Sequence, residues 1–442
     1  MLDLSYRSIL RMAIPLMAST FIQSVVLITD SFFLSRYDII AFDAAGNGGL
    51  VYITLIMLLV GMSDGSQILM ARRIGEGKQN FLARIFGTTL LNNFAITIIL
   101  FSSIFLFIPD LISSYSKSVE VGQGQIDYIQ VRSFGLIFSF ISLAINAYFM
   151  AIGKTKLVFI NALFIAVSNI GLDYLLINGN SGFPELGLKG AALASSIADA
   201  IGMLFLIAAL YFSKEQRTHS ILKNITINKE SFHQLFKISS PIMLSGLIAL
   251  STWTVFFAWI EQIGTHELTI SQNIRSLYFL AFVPIWGFGA TTKTYISQYL
   301  GNKDLDSIPI IIRKVQILTT LSLLFFFHGA ILYPDFMIKL VNPNEVYVSE
   351  SVEILQFVFG SVIIYGLGSV YFQAINGSGN TRHNFYIELI SVLIYILSAY
   401  LLIKVYKVEL FWVWTVEYIY FSTLGILSYI YIRYYHWQKK EI

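Results

Sequence analysis

The sequence predicts an all-α polytopic membrane protein with twelve transmembrane helices arranged as two parallel six-helix repeats. Three observations predict this fold class: the composition, the number of long apolar stretches, and a similarity between the two halves. The chain of 442 residues is 56% hydrophobic and only 12% charged, whereas soluble domains usually carry about 25% charged residues. It contains no cysteine, which excludes disulfides, thiol catalysis and cysteine-ligated metals.

A transmembrane helix needs about 20 mostly apolar residues, and twelve stretches of the chain meet that requirement. Aromatic residues cluster near many of their ends, as is typical of side chains at a membrane interface. The predicted spans are 9–35, 45–70, 85–109, 128–152, 157–178, 187–212, 236–261, 271–297, 312–334, 352–376, 384–404 and 409–433.

The loops between these spans differ in charge. If the N-terminus lies inside, the inner loops hold more than twice as many lysines and arginines as the outer loops. Because positive residues concentrate on the cytoplasmic side of membrane proteins, we expect a multi-pass protein of the cytoplasmic (inner) membrane with both termini in the cytoplasm.

The second half of the chain resembles the first at one constant offset. Met12–Met17 falls on Ile238–Met243, and the match continues at the same offset across most of the half. An even number of spans in each half makes the repeats parallel, an arrangement found in secondary transporters. The predicted domains are an N-lobe at 1–212 with helices 1–6, a cytoplasmic linker at 213–234 and a C-lobe at 235–442 with helices 7–12.

Ionisable residues inside membrane spans are rare and mark functional sites by default. The first half places four aspartates within its spans: Asp30, Asp64, Asp173 and Asp199. Asn169 lies four residues before Asp173 and therefore shares its helix face. A charged aspartate at mid-membrane costs about 2.5–3.5 kcal/mol. A bound proton or Na⁺ would offset that cost, so these groups are candidates for a coupling-ion site.

Further polar residues fall on neighbouring spans. Ser195 lies four residues before Asp199 on the sixth span, and Asn146 lies on the fourth. If spans one, four, five and six line one cavity, these groups can meet the carboxylates there. The result would be a buried carboxylate pair with amide and hydroxyl partners.

Each candidate also has a structural interpretation. Asp64 can cap or hydrogen-bond locally near a helix end, and Asp199 can simply hold two helices together. The asparagines alone would be structural more often than functional. The two acids in spans of the second half, Glu388 and Glu417, are interpreted as structural or cavity-lining. Pro15 is expected to bend the first helix.

Several segments together resemble the multidrug and toxic compound extrusion (MATE) transporters. They cover nearly the whole chain in order, and the order, spacing and duplication are more specific than any one motif. The segments are Pro15 with Asp30, "GMSDGSQILMARRIGEGK", "AIGKTK", "SNIGLDYLLI", "GLKGAALASS", "SQYLGNKD" and "AINGSGNTR". The resemblance implies V-shaped lobes around a central cleft. It also implies export of organic cations and other amphipathic compounds, driven by inward H⁺ or Na⁺.

The resemblance also implies which residues act. In prokaryotic members with an N-lobe cation site, the matching positions here are Asp30, Asn169, Asp173, Asn146 and Ser195, with Pro15 as the helix-bending proline. Spans seven and ten lack the acids that many members carry, so no cation site is expected in the second lobe. Asp199 stands where the family often has an uncharged residue, and with Asp64 it is an additional candidate.

These observations predict a non-enzymatic antiporter of multidrug efflux, a xenobiotic transport protein. No Walker loop, hydrolase constellation or metal spacing is visible in the sequence. No cofactor is expected beyond the coupling ion, with Na⁺ at Asp30, Asn169 and Asp173 as one choice and H⁺ as the other. The expected partners are a small amphipathic or cationic substrate and membrane lipid, without nucleic acid, for a chain that acts as a monomer.

Two alternatives remain open at this point. The first is a flippase for a lipid or a lipid-linked oligosaccharide, which would be expected to carry cationic side chains for phosphates. Only Lys293 is expected to approach a span interior, which weighs against it. The second is a channel or a receptor-like sensor without coupled exchange.

Overall fold

The computed structural model describes residues 2–116, 118–219, 221–223, 225–226, 229–435 and 437–439. Within these residues, twelve helices are long and apolar enough to cross a membrane, which confirms the predicted number. They are α1 Tyr6–Tyr37, α2 Ile40–Gly75, α3 Gln79–Leu106, α4 Val119–Ala151, α5 Thr155–Leu176, α6 Gly187–Phe212, α7 Lys229–Ile260, α8 His266–Gly301, α9 Ser307–Phe327, α10 Glu345–Gly377, α11 Thr381–Val405 and α12 Leu410–Tyr434.

The internal repeat extends to helix boundaries. Helices α2 and α8 end at Gly75 and Gly301, which are separated by the same offset as Met12 and Ile238. Two short helices that precede α4 and α10, Ile108–Tyr115 and Pro334–Val341, are also related by that offset. The two halves therefore repeat not only the spanning helices but also a connecting element.

Contacts divide the chain into two compact units. The first-half unit consists of residues 18–243, and the second unit consists of residues 1–17 with residues 244–442. The division falls inside α1 and α7, two residues after Pro15 and Pro241. Helix α1 continues through its proline as one element. The predicted domain boundaries follow the sequence repeat and stay a prediction. Part of the predicted linker at 213–234 lies outside the described residues.

Polar contacts fix the first residues of the chain to helix α8 of the same unit. The Leu2 amide donates to Gln298 Oε1 (3.1 Å), and the Tyr299 hydroxyl donates to the Leu2 carbonyl (2.8 Å). One turn earlier on α8, the Tyr295 hydroxyl donates to Ser8 Oγ (2.9 Å). These contacts join the start of α1 to α8.

One close helix contact recurs in both units at positions related by the repeat. In the unit of residues 18–243, a Cβ on Gly61 would lie 2.7 Å from the backbone N and Cα of Met243. In the other unit, a Cβ on Gly287 would lie 3.0 Å from the backbone N of Met17. Both residues of the second contact are the repeat partners of the first pair. Small residues allow backbones in membranes to approach this closely.

Candidate functional site

Asp30 and Asp173 come together in the unit of residues 18–243. Asp30 lies on α1 and is partly buried, whereas Asp173 lies on α5 and is 0% exposed. Their carboxyl groups lie close enough to interact electrostatically. Two ionised carboxylates repel each other and can only accept hydrogen bonds, so a proton on one of them relieves the repulsion. The pair is thus arranged to hold at least one proton.

Asn169 connects this pair to α6. It is 1% exposed and lies one helical turn before Asp173. Its Nδ2 donates to Ser195 Oγ across 3.1 Å. The amide oxygen is left as an acceptor, in keeping with its position beside the carboxyl groups.

The sequence of α6 explains why it can lie so close to α5. The small residues Gly190, Ala191 and Ala194 are buried, and a Cβ on Gly190 would lie 2.5 Å from the Leu176 carbonyl oxygen. Helices with small residues at their interface approach closely in membranes. This approach allows the short side chain of Ser195 to reach across to α5.

An ion pair lies next to the carboxyl pair. Arg132 of α4 contacts Asp199 of α6 with 2.7 Å between Nη1 and Oδ2, and the two side chains are 14% and 16% exposed. The guanidinium also lies 4.5 Å from the centre of the Tyr52 ring. Ser139 Oγ is 3.5 Å from the same carboxylate oxygen. Asp199 therefore holds α4 and α6 together, as its structural interpretation requires.

A glycine leaves room for this ion pair. Gly135 belongs to a short 3₁₀ turn, Ser133–Gly135, within α4. A Cβ at this position would collide with Arg132 Nη1 and lie 2.9 Å from Asp199 Oδ2. The turn and the missing side chain together allow the guanidinium to fold back onto α6.

The charges of the two pairs act on each other. The positive charge of Arg132 lies within electrostatic range of Asp30 as well as Asp199. When Asp30 and Asp173 share one proton, these two groups together with the Arg132–Asp199 ion pair carry one net negative charge. Without a proton they carry two, and with two protons they are neutral. Proton number therefore decides whether this region attracts a cation.

The oxygens of the site lack donors. Oδ1 and Oδ2 of Asp173, Oδ1 of Asp30 and Oδ1 of Asn169 are buried, and no hydrogen-bond donor of the described residues contacts them. Oxygen atoms of this kind are the ligands that hard cations prefer. No group of three His, Cys, Asp or Glu side chains forms a metal site among the described residues. A sodium ion here would therefore depend on two carboxylates and an amide.

Three predicted residues make no described contact with this group. Asn146 is half-buried near the end of α4, with Oδ1 lacking a partner in the described part of the chain. Asp64 lies twelve residues beyond Tyr52 on α2. At a rise of about 1.5 Å per residue, that separation is about 18 Å along the helix. Pro15 belongs to the other unit. No described contact joins any of the three to Asp30 or Asp173.

Arg132 is the main residue that the sequence interpretation missed. The span boundaries predicted from hydropathy put it close to the outer end of a span, but it lies well inside α4 (Val119–Ala151). Lys293 is therefore not the only basic residue inside a spanning helix, since Arg132 lies within α4 and Arg275 within α8. A basic residue a few positions inside an apolar stretch was the available signal, because such residues normally pair with an acid.

Comparison with known proteins identifies the family. A family model described as MatE matches residues 15–175 and again residues 241–401, two ranges related by the repeat offset. The chain is 22% identical over 447 residues to "Probable multidrug resistance protein YoeA" of Bacillus subtilis (strain 168), covering 99% of this chain and 95% of that protein. It is 23% identical over 452 residues to "Probable multidrug resistance protein NorM" of Thermotoga maritima, covering 99% and 94%.

A solved structure shares the fold. It is described as "Outward-facing conformation of a multidrug resistance MATE family transporter of the MOP superfamily" and matches with a TM-score of 0.87 at 18% identity, over 97% of this chain and 95% of that chain. At this identity the likeness shows the fold alone. Since the family model matches more than half of the residues, twice and at the repeat offset, the chain is a multi-pass membrane protein that belongs to the MatE family.

Proposed function

We propose that this protein is a secondary active antiporter. It exports organic cations or amphipathic drugs in exchange for H⁺ or Na⁺ by alternating access. The observation that supports this most directly is the contact between the carboxyl groups of Asp30 and Asp173 within the membrane-spanning part. Full-length relatives named as multidrug resistance proteins agree with it.

The exchange follows from the charge of the site. Asp30 and Asp173 without a bound cation would leave uncompensated charge among buried oxygens, at about 2.5–3.5 kcal/mol for each aspartate. A proton, a sodium ion or a cationic substrate removes that charge. Because the same carboxylates serve all of them, binding of one weakens binding of another. An ion can bias the conformational equilibrium only by its differential affinity for the two states.

The flippase alternative is less well supported. A flippase for phosphate-bearing lipids needs cationic side chains available to the phosphate. Arg132 is within a span, but its guanidinium is bound to Asp199 at 2.7 Å. The oxygens beside it are acceptors, which favour a cation over an anion.

We also infer the setting of the protein. The distribution of basic residues supports a place in the inner membrane with both termini cytoplasmic, in contact with lipid. We expect the transporter to act as a monomer, without cofactor, enzymatic step or nucleic-acid partner.

The test is efflux of a fluorescent organic cation from proteoliposomes under separately imposed H⁺ and Na⁺ gradients. D30N and D173N should each lower gradient-driven efflux by at least about tenfold, since an amide cannot exchange a proton. E417Q is the matched control, because Glu417 is a buried carboxyl that already accepts from Tyr395. Efflux at the wild-type rate in D30N or D173N would contradict the site, and conduction without exchange would indicate a channel.

A further inference from the structure

The second unit contains a buried polar group that the predicted function does not use. Glu388 and Asn384 lie on α11, four residues apart, and are 4% and 2% exposed. That spacing places them on one helix face. We propose that these two residues form a second monovalent-cation site, which binds H⁺ or Na⁺ independently of Asp30 and Asp173.

The first argument is the surroundings of the carboxylate. The Tyr420 hydroxyl of α12 donates to Glu388 Oε1 across 2.6 Å, a length typical of a hydroxyl bonded to an ionised carboxylate. Among the described residues, the other titratable group that acts on Glu388 is Tyr365 of α10, and Glu417 of α12 acts on the same two tyrosines. None of these is a cation. A buried carboxylate without a positive partner requires a proton or a bound cation.

The second argument is an amide oxygen without a donor. Oδ1 of Asn384 is buried and has no hydrogen-bond partner among the described residues. It is an acceptor, and its neighbour one turn on is an acceptor too, so neither can satisfy the other. A proton on Glu388 could be donated to it, and a sodium ion could bind both. Either cation resolves the same mismatch.

A buried hydroxyl lies at a similar level of the facing helix. Ser428 of α12 is 0% exposed, and its Oγ also has no partner within the described residues. The rings of His383 and Tyr431 meet with centroids 5.1 Å apart. His383 directly precedes Asn384 on α11, and Tyr431 follows Ser428 by one turn on α12. The two polar side chains are therefore at similar levels of α11 and α12.

Glu417 shows how a satisfied carboxylate in the same unit looks. It is 2% exposed and accepts from the Tyr395 hydroxyl at 3.1 Å and from the Trp253 indole. Two donors bind its carboxyl group, and no asparagine without a hydrogen-bond partner lies one turn away. The contrast singles out Glu388, although both residues are buried glutamates.

The site is not a copy of the first one. The repeat offset carries Asn169 to Tyr395, eleven residues beyond Asn384. At a rise of about 1.5 Å per residue, the second site is therefore displaced by about 16 Å towards the start of the equivalent helix. Spans seven and ten contribute no carboxylate to it, which is why the family pattern gave no expectation of a second-lobe site.

The test is carbodiimide labelling of purified wild-type protein, which requires no transport. Dicyclohexylcarbodiimide modifies protonated buried carboxyls, and mass spectrometry measures the peptide that contains Glu388. One series varies the pH in Na⁺-free choline chloride, and the other adds NaCl or KCl at constant pH. Modification that falls as the pH rises supports the site with a proton. Modification that falls with Na⁺ but not with K⁺ supports it with sodium.

Variants make the result specific. In N384L the responsive cation should bind about tenfold more weakly, which corresponds to loss of one good polar contact. The thermal unfolding midpoint is measured in a D30N/D173N background, which removes the response of the first site. There it should still respond to that cation, keep the response when E417Q is added, and lose it when E388Q is added. The proposal is overturned if modification of Glu388 is constant, at zero or any other level, or if E388Q leaves the cation response of that background unchanged. D30N, D173N and failure of transport do not affect this measurement.

Discussion

At the scale of single residues, the first-half unit contains two aspartates whose negative charges are compensated in different ways. Asp199 is neutralised inside the protein by Arg132, at 2.7 Å. Asp173 contacts no cationic side chain among the described residues and interacts instead with the carboxyl group of Asp30. A fixed ion pair supplies a constant charge, whereas a carboxyl pair can gain and lose protons. In the proposed antiporter, the residues that would exchange ions are therefore different from those that set the background charge.

The ion pair depends on Gly135, which gives a prediction. In G135A the new methyl group would occupy the position of Arg132 Nη1 and crowd Asp199 Oδ2. Overpacking of this kind costs about 1–3 kcal/mol, so the free energy of unfolding in detergent micelles should fall by that amount. G49A is the matched control, since nothing lies within 4 Å of a Cβ there. Equal stability of G135A and G49A would show that the pair tolerates the methyl group.

The sequence indicated Asp30, Asn169 and Asp173 because polar residues stand out in apolar stretches. It could not indicate that Asp199 pairs with Arg132, because these residues are 67 positions apart. Helix spacing shows which residues share a face but not which helices face each other. The contact of Asn169 with Ser195 was inferable only by assuming that spans five and six line one cavity.

At the scale of helices, one close approach of two backbones recurs in both units. Gly61 of α2 meets Met243 of α7, and Gly287 of α8 meets Met17 of α1. The neighbouring atoms at Gly61 belong to the backbone, which cannot move aside as a side chain can. Duplication of this contact indicates that close packing of these helix pairs is a property of the repeat.

Substitution of Gly61 tests the importance of that contact. In G61A the new Cβ would lie 2.7 Å from the Met243 backbone, so the helices must separate. We expect a loss of about 1–3 kcal/mol in the free energy of unfolding, measured by denaturation in detergent. G46A on the same helix should be neutral, because nothing lies within 4 Å of its Cβ. A stability of G61A equal to that of G46A would contradict the contact.

A short helix after α6 is expected to lose its docking at low pH. In Lys214–His219, Glu215 pairs with Lys154 at 2.6 Å and His219 hydrogen-bonds to Tyr148 at 2.8 Å. Burial lowers the pKa of His219 from 6.5. As the pH falls, the undocked chain therefore binds a proton first, and docking loses stability below about pH 6.5.

Hydrogen exchange of residues 214–219 measures this docking. After correction for the intrinsic pH dependence, wild type should exchange faster as the pH falls below about 6.5. H219Q cannot titrate in that range and should show no additional acceleration. The Lys154–Glu215 pair is present in both and serves as an internal constant. An identical pH profile of the two proteins would rule out His219 as the cause.

Helix boundaries show what composition can and cannot predict. The predicted fourth span is 128–152, but α4 begins at Val119. Its first residues include Glu120 and Gln123, which an apolar window rejects. They form a helix because Ser118 caps it, accepting from the Val121 amide at 3.3 Å. Number and order of spans follow from hydropathy, whereas ends depend on local capping.

At the scale of the whole molecule, the two halves share helices but not chemistry. The repeat offset carries Asp30 to Phe256 and Asn169 to Tyr395. Those two rings pack with centroids 5.5 Å apart in the buried core of the second unit. An aromatic contact thus replaces the polar pair at the equivalent place. The first-half unit carries carboxyl and amide groups at this level, and the second carries packed rings, of which Tyr395 also donates to Glu417.

This asymmetry predicts how ion and substrate binding are linked in the intact protein. A monovalent organic cation neutralises the one negative charge left by a singly protonated Asp30–Asp173 pair, and so opposes binding of a second H⁺ or of Na⁺. By linkage, a tenfold rise in the competing ion should weaken dye affinity by up to about tenfold. Fluorescence titration from about pH 6 to about pH 8, with and without Na⁺, measures the effect. D30N and D173N should lose the dependence while E417Q keeps it. Dye affinity that is constant across pH and Na⁺ in wild type would show that substrate and ion do not share these carboxylates.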